Sequence, residues 1–244
     1  MGSDMSVVAF LDLDDSIFQT LPKCPPGARL EVAAVNRDGS PGSFMTPKQR
    51  RLVDWLLATT HVIPTTGRNL EAYRRVRIAF PGCAILNHGG TIVDAQGAPD
   101  LEWYEQLESD LCPDELRRLQ LEVLAQSFGV RARLIGDHGR TLYLSVKHPS
   151  VDLAELAACR RFLAARIDRD RVRLIESANN LAVLPVGVSK ERAVRHVISS
   201  RAAPDELVLG LGDAPSDLGF LKLCDIAGAP TRSAIFLAVP EGEP

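Results

Sequence analysis

Lysine is scarce in this chain, five against 23 arginines in 244 residues, and aromatic residues make up only 5% of it. With a formal net charge of −3 as well, the sequence offers neither a base-stacking platform nor a general basic surface, so no nucleic-acid partner is expected. No apolar stretch reaches the roughly 18 residues that a membrane span needs. The first residues run from a short apolar segment straight into acids rather than into a small-residue cleavage site, so a cytoplasmic protein with no membrane partner is expected. The five cysteines, Cys24, Cys83, Cys112, Cys159 and Cys224, are odd in number and widely spaced, without a CxxC pair, which suits reduced thiols better than a disulfide framework or a zinc site. Also missing are a GK[ST] phosphate loop, the third glycine that GLGDAP would need as a dinucleotide fingerprint, and two histidines at metal-ligand spacing. His61, His88, His138, His148 and His196 are therefore expected to be ordinary surface or core residues, and Trp55 and Trp103 packing groups.

What the chain does contain is alternation between short apolar runs rich in β-branched residues and longer amphipathic segments, the rhythm of a parallel sheet covered by helices. The runs are VVAFL (7 to 11), HVIPT (61 to 65), CAILN (83 to 87), LVLGLG (207 to 212) and AIFLAV (234 to 239). TPKQRRLVDWLLATT has Thr46 as an N-cap and Pro47 at the first helical position, and SKERAVRHVISS has Ser189 as its cap. Residues 20 to 45, rich in proline and glycine, read as a loop or hairpin excursion.

From about 98 to 185 the rhythm changes to helix (113 to 128), strand (130 to 136), strand (140 to 147), helix (152 to 167), strand (171 to 177) and strand (180 to 185). GDHG (136 to 139) and ANN (178 to 180) are turns of hairpin length, so this stretch is an antiparallel α+β unit inserted as a lid. The expected organisation is a core domain of residues 1–97 and 186–244 with a cap of residues 98–185.

In VVAFLDLDDS an apolar run without alternation, typical of a parallel strand buried on both faces, ends in Asp12, Asp14 and Asp15. The carboxyl end of such a strand is where open α/β sheets place ligands, and side chains two apart on an extended chain point the same way. Asp12 and Asp14 therefore read either as two carboxylates facing one crevice or as solvated loop and capping residues. Three further strand ends and helix starts bear on the choice. HVIPTTGRN ends in Thr65, Thr66 and Gly67, a plain turn or a source of hydroxyls and free N–H groups for an anion. VGVSKERAV puts Lys190 in the first turn of a helix, where a cation opposes the helix dipole unless it has a partner. LVLGLGDAPSD ends in Asp213 and Asp217, which could simply cap.

Taken together and in this order, these segments resemble the haloacid dehalogenase superfamily, in particular its Cof-like and sugar-phosphate phosphatase branch. DLDDS resembles the first motif, TTGR the second, the lysine of GVSK the third and GDAPSD the fourth, while CAILNHGGTI is similar to the segment that precedes the cap. The resemblance implies a Rossmann-like parallel-sheet core with an inserted α+β cap of an antiparallel sheet and two helices. It implies a Mg²⁺-dependent phosphomonoester hydrolase acting on a small phosphorylated metabolite, with a sugar phosphate the favoured class. Asp12 would be the nucleophile that forms an aspartyl-phosphate, and Asp14 the general acid/base. Thr66, Gly67 and Lys190 would hold the phosphoryl group. Asp12, the Asp14 carbonyl and Asp213 would hold Mg²⁺, with Asp217 in support. The chain departs from the family pattern at Asp15, where Gly is common, at Ser16, at His88 and at Ser216. A phosphomutase, which shares the aspartyl-phosphate, and a non-catalytic binding module on the same fold are the alternatives.

Charge is unevenly spread. Residues 131 to 173 carry nine Arg and one Lys against five acids, a local +5. Strand alternation puts Arg131 and Arg133 on one face and Ala132 and Leu134 on the other, with Tyr143 opposite Leu142 and Leu144, and Arg173 opposite Val172 and Leu174. One face is expected to pack on the two helices. The other, polar and arginine-rich, is expected to close over the catalytic crevice and to supply the substrate contacts Arg131, Arg133, Tyr143 and Arg173.

Overall fold

Val8, Ala9, Phe10 and Leu11 are all 7% exposed or less, because the strand they form is central and covered on both faces. The structure, a computed structural model, describes residues 7–150, 152–177, 179–201, 203 and 205–238. In chain order its elements begin with β1 (Val7–Leu11), β2 (Glu31–Val35), β3 (Pro41–Met45), α1 (Pro47–Thr59), β4 (His61–Pro64), α2 (Leu70–Tyr73), β5 (Ala84–Leu86), β6 (Thr91–Val93), α3 (Leu101–Leu107) and α4 (Pro113–Leu124). They continue with β7 (Arg131–Asp137), β8 (Arg140–Lys147), α5 (Leu153–Ala164), β9 (Val172–Ser177), β10 (Asn180–Pro185), α6 (Lys190–Arg201), β11 (Leu207–Leu211), α7 (Leu218–Leu221), β12 (Ile226–Gly228) and α8 (Ala234–Leu237). Two units divide them: one holds the residues up to Asp100 and from Lys190 onward, the other Leu101–Ser189.

The first unit is built on a parallel sheet in the order β12-β11-β1-β4. Thr65 bridges in parallel to Ile85, which carries the sheet toward the short antiparallel pair β5–β6. α1 starts where its sequence says it should. The Thr46 hydroxyl accepts from the Gln49 N–H at 3.3 Å while the Gln49 side chain accepts from the Thr46 N–H at 2.9 Å, and Pro47 follows the cap. Val53 and Leu56 on its inner face are buried, with Leu56 joining Ala9, Leu11 and Val62 in the core. A buried leucine or phenylalanine of this kind contributes roughly 1.5–3 kcal/mol. The excursion after β1 is a hairpin, β2–β3, stitched to residue 19 by Gln19 N–H to Phe44 O at 3.0 Å and Phe44 N–H to Gln19 O at 2.7 Å.

One strand expectation is overturned. AIFLAV does not add a strand: residues 234–237 are the short helix α8, capped by Ser233, whose Oγ accepts from the Phe236 N–H at 3.4 Å. A short apolar run fits a helix as well as a strand, and here a serine cap decides. The edge position beside β11 belongs instead to β12, three residues long. Val239 of that run and Ala178 of the ANN turn lie outside the described residues.

The second unit is an antiparallel sheet in the order β7-β8-β10-β9 with α4 and α5 on one face. Ala132, Leu144, Val146, Val172, Leu181 and Val183 pack with Leu116, Leu119 and Val123 of α4 and Leu156, Cys159 and Leu163 of α5. The β7–β8 turn places His138 and Gly139 at φ +51° and +79°, two consecutive left-handed residues as a tight hairpin requires. Among the described residues no helix is long and apolar enough to cross a membrane, and all five cysteines are unbridged.

Candidate active site

Three adjacent parallel strands deliver the site. Asp12 follows β1, Thr65 and Thr66 follow β4, and Asp213 lies two residues beyond β11. Main-chain hydrogen bonds continue past the strand ends, with Asp12 N–H on Leu211 O at 2.8 Å and Thr65 N–H on Leu11 O at 2.7 Å. The Asp12 carboxylate is therefore carried on rigid backbone, and it is 5% exposed.

Its oxygens are both engaged. Lys190 Nζ donates to Oδ1 at 2.6 Å and Ser16 Oγ to Oδ2 at 2.9 Å. The same ammonium donates to Asp217 Oδ1 at 2.7 Å, while Asp217 Oδ2 accepts the N–H groups of Asp213 and Ala214, each at 3.1 Å. Asp217, 1% exposed, thus fixes both the lysine and the backbone that carries Asp213. Lys190 stands at the first position of α6, where the helix dipole and burial both disfavour a cation. Burial works against its charge, but Asp12 and Asp217 overcome that and hold its pKa above the ordinary lysine value. The ammonium keeps its proton, so the surplus of negative charge falls on the acids. Burial, opposed by Lys190 and reinforced by Asp217 and Asp213, pushes Asp12 up to about 7, and burial with Asp217 and Asp15 pushes Asp213 up to about 6.

Asp14 goes elsewhere. Its carboxylate is exposed and gripped in a fork by Arg68, Nε to Oδ2 and Nη2 to Oδ1, both at 2.7 Å. The alternation that would aim Asp12 and Asp14 into one crevice belongs to a strand, and β1 ends at Leu11. Arg68 is itself fixed, Nη1 on Ala72 O at 3.4 Å and its guanidinium over the Phe18 ring at 5.0 Å. Arg68 is the arginine of TTGR, and its partner can be found only from the fold. Asp15 adopts φ +67°, a left-handed position that glycine takes most easily and that Asp tolerates. Its carboxylate pairs with Lys23.

Thr66 and Gly67 sit on a turn laced to the segment after β5. Thr66 N–H donates to Ile85 O at 2.8 Å, Asn87 N–H to Arg68 O at 2.8 Å and His88 N–H to Thr66 O at 3.0 Å. Thr65 and Thr66 are almost wholly buried.

In the second unit, Arg131, Arg133, Tyr143 and Arg173 share one sheet face, as the pairs Arg131↔Lys147, Arg133↔Ser145, Ile135↔Tyr143 and Leu184↔Arg173 require. The three arginines are exposed, and Arg173 Nη2 donates to Val188 O at 2.7 Å. The face is less polar than the alternation of three strands alone suggests. β10 adds Ala182 and the fully buried Leu184 to it, and Tyr143 is only 7% exposed.

The donor set of the first unit fits a hard divalent cation. Oxygens of Asp12, Asp213 and Asp217 lie within 4.8 Å of one another, all are carboxylates, and burial, reinforced by their mutual repulsion, raises the pKa of Asp12 and Asp213. Both oxygens of Asp12 and of Asp217 already accept hydrogen bonds, so a cation at this cluster would share them with Lys190, Ser16 and the 213–214 backbone.

No protein-family model matches this chain, and no curated protein does. Solved structures do. The sucrose-phosphatase from Synechocystis sp. PCC6803, in complex with sucrose and phosphate, superimposes with a TM-score of 0.56 at 16% identity over 89% of this chain and 79% of its own. The C-terminal domain of trehalose-6-phosphate phosphatase from C. albicans gives 0.53 at 16% identity over 89% and 73%. A protein of Thermoplasma acidophilum gives 0.58 at 14% identity over 93% and 86%. This chain thus shares its fold with the sucrose-phosphatase and the trehalose-6-phosphate phosphatase domain, and the fold is a parallel-sheet core with an α+β unit inserted.

Proposed function

We propose that this chain is a Mg²⁺-dependent phosphomonoester hydrolase of the haloacid dehalogenase type, acting on a small phosphorylated metabolite through an aspartyl-phosphate on Asp12. The observation that carries the reading is Lys190, one ammonium locked between the buried carboxylates of Asp12 and Asp217 at the carboxyl end of the central strands. A carboxylate approaching a phosphate dianion meets like-charge repulsion, and a fixed ammonium beside the nucleophile lowers it. Mg²⁺, held by Asp12, Asp213 and the Asp14 carbonyl, would supply the rest of that neutralisation. Asp12 attacks phosphorus, the P–O bond to the metabolite breaks, and the leaving oxygen takes a proton from Asp14. Water, deprotonated by Asp14, then attacks phosphorus, releasing phosphate and restoring Asp12. Asp14 reaches this role by leaving the Arg68 fork. Thr66 and the Gly67 N–H hold phosphoryl oxygens during both steps.

A sugar phosphate is the favoured substrate class, supported by the sucrose-phosphatase and trehalose-6-phosphate phosphatase among the folds that match. The test is phosphate release from phosphorylated sugars, nucleotides and an aryl phosphate, with and without Mg²⁺. Turnover is expected only with Mg²⁺, and Asp12→Asn should abolish it while the chain stays folded. A folded Asp12→Asn variant with wild-type turnover refutes the covalent route. Loss of substrate without release of phosphate, under a bisphosphate requirement, identifies a mutase instead.

A further inference from the structure

His88 follows β5 in a backbone conformation that bulky residues avoid, φ +58° and ψ +26°, between Asn87 at φ +53° and Gly89 at φ +97°. Three consecutive left-handed residues make an unusual turn, and such geometry persists where the surrounding structure enforces it and often where it serves a site. Here the turn directs the N–H groups of Asn87 and His88 onto the carbonyls of Arg68 and Thr66. It also lays the half-buried imidazole against Gly67. A Cβ placed on Gly67 would stand 2.4 Å from His88 Cε1, 2.7 Å from Nε2 and 2.9 Å from Nδ1. The Cβ position stands nearly perpendicular above Cε1, so the imidazole lies with its face against Gly67 and its two nitrogens beside the turn. Gly67 is not left-handed, so glycine is required at this position for room and not for its backbone freedom. The space where a side chain would otherwise grow is filled by imidazole.

We infer that His88 is a ligand-contacting residue of the Thr66–Gly67 turn, donating an imidazole N–H to an anionic oxygen of a phosphoryl group seated there. The inference rests on the phosphatase reading of the site but deepens it, adding a side-chain donor beside the backbone N–H groups of the turn. Imidazole beside the backbone N–H groups of a turn suits a phosphate oxyanion, since a charged acceptor strengthens each hydrogen bond it receives.

The probe is inorganic phosphate, titrated calorimetrically into the full chain with Mg²⁺, alongside KM, kcat and Tm for an aryl phosphate. His88→Gly should weaken phosphate binding and raise KM by about tenfold, the worth of one hydrogen bond to a charged group. Its kcat should fall by less than that. Its Tm should hold or rise, because glycine adopts this conformation without strain. His88→Asn, which also tolerates the left-handed region and keeps an N–H donor, should recover part of the affinity. Gly67→Ala should weaken phosphate binding by collision with the ring, and in the double variant with His88→Gly binding should be no weaker than in His88→Gly alone. Unchanged phosphate affinity in His88→Gly overturns the inference, as does a loss that tracks a lower Tm and is not recovered by Asn. A wild-type chain that binds phosphate in a His88-dependent way yet hydrolyses no phosphomonoester refutes the proposed function and supports the His88 contact. Hydrolysis with His88-independent phosphate binding does the reverse. A wild-type chain that binds no phosphate overturns both.

Discussion

Lys190 shows how far a single residue type in an awkward place can carry a reading. A scarce lysine at the start of a helix is electrostatically disfavoured unless it has a partner; the sequence alone leaves a solvated lysine as the plainer reading, and the fold supplies two partners. Asp12, Asp213 and Asp217 could equally be solvated or capping residues when each is taken alone, and only the order of the four segments and the resemblance it carries point to them together. Arg68 and His88 are not legible as site groups. Each acts across a long-range contact, Arg68 on Asp14 and His88 on Gly67, and neither spacing nor composition encodes which loop will face which. At this scale the assignment of Asp14 makes a sharp prediction. Asp14→Asn should slow hydrolysis of an alkyl phosphate by roughly 10²-fold or more, the usual size of general acid catalysis, and an aryl phosphate far less, because a poor leaving oxygen depends most on a proton donor. Comparing kcat for the two substrates decides it, and equal losses count against the acid role.

Elements with strong period are readable almost to their ends: β1, α1, β8 and α6 follow directly from an unbroken apolar run, a capping box, an alternating strand and an amphipathic helix. Elements whose type depends on a neighbour are not. α8 reads as a strand in AIFLAV until Ser233 caps it, and α3, only seven residues long, passes unassigned although Trp103, Tyr104 and Leu107 stand at helical spacing and Trp103 and Leu107 are buried. The second unit's sheet illustrates both cases. Its apolar face is predictable, because every strand contributes alternate residues to the α4–α5 layer. The composition of the opposite face is not, because Leu184 and Ala182 of β10 break its polarity. The exposed arginines of that face remain our candidates for recognising the part of the substrate that is not transferred. Arg133→Ala should therefore raise KM for the preferred metabolite while leaving turnover of a small aryl phosphate nearly unchanged, the signature of lost uniform binding. Steady-state kinetics on both substrates would show it, and an unchanged KM for the metabolite would remove Arg133 from the site.

For the molecule as a whole, the crowded carboxylates tie stability to pH and to metal. Asp12 at about 7 and Asp213 at about 6 lie above the ordinary 3.8 of an unfolded chain. Between those values the folded state binds more protons than the unfolded one, so in a chelator stability should fall as pH rises through this window, the loss being complete above about 7. Mg²⁺ binds the deprotonated carboxylates and should restore stability most where they are ionised. Thermal unfolding in chelator should thus give a lower Tm near pH 8 than near pH 5, with Mg²⁺ raising the former more. A Tm in chelator that is flat or rising over that interval would contradict the charge balance described here. The strand order also has a temporal meaning. β1 is hydrogen-bonded on one side to β11, Val7 facing Leu207, with the whole second unit lying between them in sequence. On a ribosome Asp12 emerges 178 residues ahead of its counter-ion Lys190, so the central sheet must wait, one edge open, for a closure of high contact order. The inserted unit is continuous in sequence and can organise during that wait. The Asp12–Lys190 pair therefore cannot form until the whole inserted unit has been made.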